Sequence, residues 1–350
     1  MINEYNVKKI TVKASGEYDV IVGEGIITKV GDFVKEVINP CKIALITDDI
    51  VDKLYSSPVL RSLERAGFTV VKYAFKHGEQ SKNLCTYGEI LSFLADNQLT
   101  RTDAIVALGG GVVGDMAGFA AATYLRGIKY VQVPTTLLAQ IDSSVGGKTA
   151  IDLDQGKNLV GAFCQPKLVV CDIMTLYTLP ERIFTDGMGE AAKYAILDKE
   201  VYQLLSGEER HLLKLICLCI DYKRKIVEKD EFEGGERRLL NLGHTLAHGI
   251  ERLSSYSITH GSAVAMGLKI VLDNALRHQL IDQTTYDGMI SAVNNCAGES
   301  KCPYQIKDIC EAALTDKKRS GNQITLIMPF GVGDCRPVSV NVDELWGYLQ

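Results

Sequence analysis

Short apolar runs alternating with amphipathic stretches fill the first half of the chain. This alternation limits its fold more than any other feature. Residues 42–47, 69–74, 104–108, 130–134 and 168–172 are rich in aliphatic and β-branched side chains and have the length of strands. Residues 50–66 and 84–97 carry helical spacing between them. Strands joined through helices run parallel with right-handed crossovers, so an α/β domain with a mostly parallel, Rossmann-like sheet is expected. The pattern changes near Leu179 and Pro180. From residue 183 to about 313 the apolar spacing is close to 3.6, and one late strand candidate follows at 323–329. We expect an α/β domain over residues 1–180, an all-α domain over 181–350, and a ligand cleft between them.

Composition excludes several function classes. A net charge of -5 on 350 residues lacks the basic face that phosphate neutralisation needs, so nucleic acid is not an expected partner. The apolar run at 104–123 is interrupted by glycines and Asp115, which suits a strand, turn and helix better than a membrane span. The first residues lack a basic segment followed by an apolar one, so no signal peptide is expected. The ten cysteines lack CxxC spacing and read as reduced thiols of a cytoplasmic protein.

Gly109, Gly111 and Gly114 follow the run at 104–108 and precede a helical run at 116–124. Glycines let a backbone approach a pyrophosphate, and a helix N-terminus offers free N–H groups and a positive dipole end. The alternative is a tight turn that packs a helix closely on a sheet. Asp48, with Asp49, ends an earlier strand, where a carboxylate suits ribose hydroxyls. Residues 134–149 mix hydroxyl, glycine and charged residues, and Lys157 and Asn158 follow. Lys148 and Asn158 would suit a phosphorylated ligand, against the alternative of a solvated loop.

His244 and His248 lie four apart and share one helix face, and His260 follows. Glu190 and Lys193 occupy what reads as the start of a helix near Gly187. Glu190, His244 and His260 would give three protein ligands with positions left open, as in catalytic zinc sites. Spacing alone leaves His244 and His248 equal candidates. Arg237, Asn241, His244 and His248 would form one polar stripe opposite Leu239, Leu242, Leu246 and Ile250, and an Arg fork would hold a carboxylate. Lys223, judged locally, is a solvated surface lysine.

Residues 109–115, 134–149, 156–161, 187–194, 241–251 and 260–267 together resemble the 3-dehydroquinate synthase family, in order along nearly the whole chain. The resemblance implies an NAD-binding α/β domain, a helical metal domain and a homodimer. It implies conversion of 3-deoxy-D-arabino-heptulosonate 7-phosphate to 3-dehydroquinate and phosphate. The steps would be transient oxidation by NAD, phosphate elimination, re-reduction and aldol closure. By position, Glu190, His244 and His260 resemble the zinc ligands, with cobalt as an alternative ion. His248 resembles a proton relay, and Lys193 lies beside the reacting hydroxyls. Lys148, Asn158, Asn241 and one of Lys317 or Lys318 resemble phosphate contacts, as does Arg126, delivered from a partner subunit. Lys223 and Arg237 resemble a carboxylate clamp, and Asp142 an active-site polar residue. Asp48, Glu79, Lys82, Gly111, Asp115, Thr135, Thr136, Lys148, Lys157 and Thr178 are the expected cofactor contacts.

Some residues depart from the family pattern. Ser262 replaces a glutamate common after His-Gly, and Ile50 an asparagine frequent near the ribose. Ala247 and Gly249 exchange the usual Gly and Ala around the second helix histidine. Gly189, Ala191 and Ala192 are smaller than usual. Rival expectations are a related sugar-phosphate cyclase, a metal-dependent alcohol or glycerol dehydrogenase, and a silent nucleotide-binding module.

Overall fold

The computed structural model describes residues 7–207, 211–299, 301–314 and 322–350. The chain divides into two compact units, Met1–Leu179 with Lys223–Glu231, and Pro180–Tyr222 with Phe232–Gln350.

The first unit is built on seven strands in the order β1-β2-β9-β6-β5-β3-β4. These are β1 (Lys8–Lys13), β2 (Glu17–Gly23), β3 (Lys42–Asp48), β4 (Thr69–Phe75), β5 (Ala104–Gly109), β6 (Lys129–Pro134) and β9 (Leu168–Asp172). All pairings are parallel except β1 with β2. Five of these strands coincide with the apolar runs of the sequence. β1 and β2 were not expected, because the lysines of β1 hide its alternation. Those lysines suit an edge strand, where charge discourages pairing with another chain.

Helices α1 (Val30–Val37), α2 (Asp49–Val51), α3 (Ser57–Arg65), α4 (Leu84–Asp96) and α5 (Gly111–Thr123) belong to the same unit. Successive strand residues point to opposite faces. Ile43, Leu45, Val106 and Val133 pack with Val34, Val59 and Leu63 on one face. Ala44, Ile46, Ile105 and Ala107 pack with Ile90, Leu94, Met116 and Ala120 on the other. Both faces are therefore buried, as a parallel sheet requires. Each fully buried aliphatic side chain contributes about 1.5–3 kcal/mol. The polar stretch after Lys148 is not a loop. It forms an antiparallel hairpin of β7 (Lys148–Leu153) and β8 (Gly156–Phe163). α5 lies against it closely, because a Cβ on Gly118 would meet Thr149 Cγ2 at 2.5 Å.

The second unit is mainly helical, with α6 (Glu181–Leu197), α7 (Lys199–Ser206), α8 (Leu212–Lys229), α9 (His244–Leu253), α10 (His260–Arg277), α11 (Gln283–Ala297), α12 (Ile306–Leu314) and α13 (Leu345–Leu349). The last residues of α8, from Lys223, count with the first unit. A two-stranded ribbon of β10 (Gln323–Gly331) and β11 (Asp334–Asn341) completes the unit; only its first strand was expected. α6 packs on α10 and α11, and α9 on α10 and α12.

Two local readings need correction. α6 begins at Glu181 rather than near Gly187, with Pro180 in the residue before it fixing the entry. The stripe from Arg237 to His248 is not one helix. Arg237 and Asn241 lie in a 3-10 turn, Glu236–Asn241, and the chain breaks at Gly243, whose φ is 76°. A side chain at Gly243 would also crowd Leu268, so glycine is needed there on two grounds.

Candidate functional site

In the second unit, three helices bring one carboxylate and two imidazoles together. Glu190 lies on α6 and is 1% exposed. His244 is the first residue of α9, and His260 the first of α10. Among the described residues, one ligand atom from each of these three lies within 4.8 Å of the others. Glu190 Oε2 is 3.7 Å from His244 Nε2 and 3.9 Å from His260 Nε2. Ligands at about 2.1 Å from a tetrahedral ion sit about 3.4 Å apart, so these spacings are close to those a shared ion imposes. His248 lies beside the trio but outside it, its ring centre 6.0 Å from His244 and 6.4 Å from His260.

The polar atoms are prepared for a cation. Glu190 Oε1 accepts from Lys193 Nζ, while the buried Oε2 has no hydrogen-bond partner. An orphaned carboxylate oxygen in the core is costly unless something else neutralises it. His244 Nδ1 donates to the Leu242 carbonyl at 3.1 Å, which leaves Nε2 with its lone pair. His260 Nδ1 bonds Glu251 Oε2 at 3.2 Å. Burial works against a charged His260 ring, but the hydrogen bond and charge of Glu251, with Glu190 and Asp186, push its pKa up to about 9. The donor set of two nitrogens and one carboxylate fits a divalent ion of the zinc type.

Lys193 is 1% exposed and also lies 4.8 Å over the Tyr194 ring. Asn241 Nδ2 donates to Glu233 Oε1 at 2.6 Å, and Glu233 holds a left-handed φ of 63°. Sequence reasoning missed Glu233, which sits among other acids beside two glycines with nothing local to single it out. Arg237 is 1% exposed, so it is a buried guanidinium rather than a surface one.

The first unit carries a second constellation. α5 starts at Gly111 with Gly110 before it, and no side chain caps its N–H groups. Such an end, approached through glycines, fits a pyrophosphate. Thr135 is buried with its hydroxyl unpartnered, and Thr136 Oγ1 accepts from Ala139 N at 3.3 Å. Asp48 closes β3 and caps α2, its Oδ1 accepting from Ile50 and Val51 N at 2.9 Å. That bond comes from the Ile50 backbone, so its exposed side chain takes no part in it. Thr178 hydrogen-bonds Tyr55, a residue the sequence did not single out.

Lys82, itself buried, is the hub of a polar network. Its Nζ donates to Asp115 Oδ2 and Asn158 Oδ1, each at 2.6 Å. Burial opposes the ammonium, but Asp115 and Glu79 outweigh it and hold the Lys82 pKa above its usual value. Asp152, also missed in the sequence, accepts from Asn158 N at 2.7 Å and supports that residue's φ of 54°. Lys157 Nζ stands 3.7 Å from Glu79.

Lys223 is 6% exposed, which overturns the reading of a solvated lysine. Its Nζ meets Asp142 Oδ1 at 2.9 Å and the Asp142 carbonyl at 2.7 Å. Lys148 opens β7 and is exposed. Arg126 is exposed in a tight turn after α5, where Leu125, Arg126 and Gly127 have φ of 51°, 68° and 119°. Lys317 and Lys318 lie outside the described residues. No described helix is long and apolar enough to cross a membrane.

Residues 72–186 match the family model described as 3-dehydroquinate synthase N-terminal, and residues 187–319 match 3-dehydroquinate synthase C-terminal. The chain is 42% identical over 346 residues to the 3-dehydroquinate synthase of Clostridium acetobutylicum, covering 95% of this chain and 96% of that protein. Among solved structures it is similar to 2-deoxy-scyllo-inosose synthase complexed with carbaglucose-6-phosphate, NAD+ and Co2+. The TM-score is 0.86 at 24% identity, over 98% of this chain and 99% of that one. A 2-epi-5-epi-valiolone synthase from Streptomyces hygroscopicus subsp. jinggangensis, with NAD+ and Zn2+ bound, also gives 0.86, at 22% identity over 98% of both chains. At such identities these two structures speak to the fold.

Proposed function

The chain belongs to the 3-dehydroquinate synthase family, and from that premise we propose how its residues divide the work of turning 3-deoxy-D-arabino-heptulosonate 7-phosphate into 3-dehydroquinate and phosphate. It is an enzyme, a lyase that uses NAD and a divalent ion in this reading. The observation that carries the reading is the unpartnered Glu190 Oε2, faced by two imidazole Nε2 atoms at 3.7 and 3.9 Å. Glu190, His244 and His260 hold the ion, zinc by donor set and cobalt as an alternative. Asp48, Glu79, Lys82, Gly111, Asp115, Thr135, Thr136, Lys148, Lys157 and Thr178 hold NAD. When bound, the two cofactors supply a transient hydride acceptor and a Lewis acid for the hydroxyl being oxidised.

The side chains bind and orient. Lys193 donates to the hydroxyls beside the ion. Arg237 and Lys223 clamp the substrate carboxylate, with Asp142 holding the Lys223 ammonium in place. Lys148, Asn158, Asn241 and one of Lys317 or Lys318 bind the phosphate. His248 moves a proton at its imidazole, and the departing phosphate itself serves as base at the neighbouring carbon. These contacts hold the opened product in the conformer that closes the ring. The proposed assembly is a cytoplasmic homodimer, in which the exposed Arg126 reaches the phosphate held by the neighbouring subunit.

The test supplies the heptulosonate phosphate with catalytic NAD and zinc, and follows phosphate and dehydroquinate. Stoichiometric release of both, with no net NADH, is expected. Net NADH without phosphate overturns the reading in favour of a dehydrogenase. Turnover at an equal rate of a sugar phosphate that lacks the carboxylate overturns the carboxylate clamp.

A further inference from the structure

Of the three ion-holding residues, His260 depends most on neighbours that are not ligands. Its side chain is 31% exposed, against 1% for Glu190 and 11% for His244, so packing alone does not fix its ring. Two carboxylates act on it instead. Glu251 on α9 is 3% exposed, with Oε2 3.2 Å from His260 Nδ1. A carboxylate accepts there, so Nδ1 carries a proton as long as this bond is kept, and Nε2 is the nitrogen an ion takes once its own proton is displaced. That nitrogen is the one 3.9 Å from Glu190 Oε2.

Asp186 acts on the backbone. It lies on α6, one turn before Glu190. Its Oδ1 accepts from Gly261 N at 2.6 Å and Ser262 N at 3.3 Å, at the start of α10. Thr259, in the capping position, makes no side-chain cap and donates to Ser262 Oγ at 2.8 Å instead. The cap of the helix that begins with His260 thus comes from the helix that carries Glu190.

We propose that Glu251 and Asp186 are positioning residues of the metal centre: Glu251 sets the tautomer and ring plane of His260, and Asp186 fixes the start of α10 against Glu190. The inference rests on the reading of Glu190, His244 and His260 as ion ligands. Outer partners of metal-bound imidazoles raise affinity by orienting the ring and increasing its basicity. A merely structural role for the two acids would instead make metal affinity follow folding stability.

The experiment strips the full chain with a chelator and titrates it with Zn2+ by calorimetry. The Co2+ form is followed by its visible absorption. Glu251→Gln keeps the size of the side chain and is expected to weaken Zn2+ binding about ten- to a hundredfold. It should alter the Co2+ spectrum, and the affinity loss should exceed what any drop in the melting temperature of the metal-free chain accounts for. Glu251→Asp should recover part of the affinity. Asp186→Asn, which keeps an acceptor oxygen, should lose less than Asp186→Ala. Wild-type Zn2+ affinity in Glu251→Gln overturns the inference, as does a loss seen only in step with melting temperature. A wild-type chain that takes up no ion overturns the ligand reading as well, so the two failures are distinguishable.

Discussion

A side chain on Gly189 would collide with the carbonyl oxygen of Gly261, so α6 and α10 meet backbone to backbone. Glu190 is the next residue on one side of this contact and His260 the preceding residue on the other. In this chain the absence of a side chain at 189 lets the two helices, and with them a carboxylate and an imidazole, come this close. Gly189→Ala should cost about 1–3 kcal/mol of stability through overpacking, and metal affinity should fall with it. Thermal melting with and without Zn2+ checks both; unchanged melting would mean that the helices have room to part.

His260→Ala should lose metal and activity together. The affinity loss should exceed the roughly hundredfold limit for outer partners, because a ligand itself is removed. Full zinc occupancy by elemental analysis in this variant contradicts the assignment. His248→Ala, outside the trio, should keep its metal and lose turnover.

Metal uptake should depend on pH. The metal-free His260 ring is held up to about 9, chiefly against burial and by Glu251, so at neutral pH an entering ion must displace its proton. Apparent affinity should rise with pH, about tenfold per unit at most from this proton alone, and level off above about 9. In the metal-free chain the sign is opposite. A raised folded-state pKa stabilises below the unfolded value near 6.5, and that contribution is lost as pH climbs through about 9. Calorimetric titrations in buffers of different pH test the first statement, and chemical denaturation of the stripped chain the second.

Arg237→Ala should weaken substrate binding more than NAD binding. A charge-assisted bond of about 1.5–3 kcal/mol is removed, so KM should rise roughly ten- to a hundredfold while the NAD dissociation constant stays close to that of the parent. The reverse order contradicts the clamp.

Lys82→Met leaves Asp115 without its closest cation. Breaking a buried pair from one side costs about 3–5 kcal/mol, less here because Asp115 keeps 19% exposure. NAD affinity should fall because Lys82 is itself a proposed cofactor contact, and phosphate binding should weaken as Asn158 loses the same partner. Changing Lys82 and Asp115 together should restore much of the stability but not the cofactor binding, measured by denaturation and fluorescence titration.

The central strands were legible because each is apolar on both faces, a pattern that survives without knowledge of neighbours. β7 and β8 were not, because lysines, glycines, Asp152 and Asn158 interrupt their short apolar stretches and only pairing with each other makes them strands. Lys223 reads as a surface residue on its own helix, and its partner Asp142 lies 81 positions away. The stripe from Arg237 to His248 has helical spacing throughout. What breaks it is the left-handed Gly243, whose position is crowded by Leu268 from another helix. Local pattern therefore fails where a distant segment decides the conformation. Family resemblance, which carries such distant information, is what favoured His244 over His248 as the ligand beside Glu190 and His260.

Both imidazoles open their helices, His244 at the head of α9 and His260 at the head of α10. Each head carries a partial positive charge from aligned peptide groups. Two such heads around one point discourage a second cation and favour any oxygen that sheds its proton there. In the proposed reaction, part of the acidity of a substrate hydroxyl would thus come from the backbone, tempered at α10 by the Asp186 carboxylate that caps it.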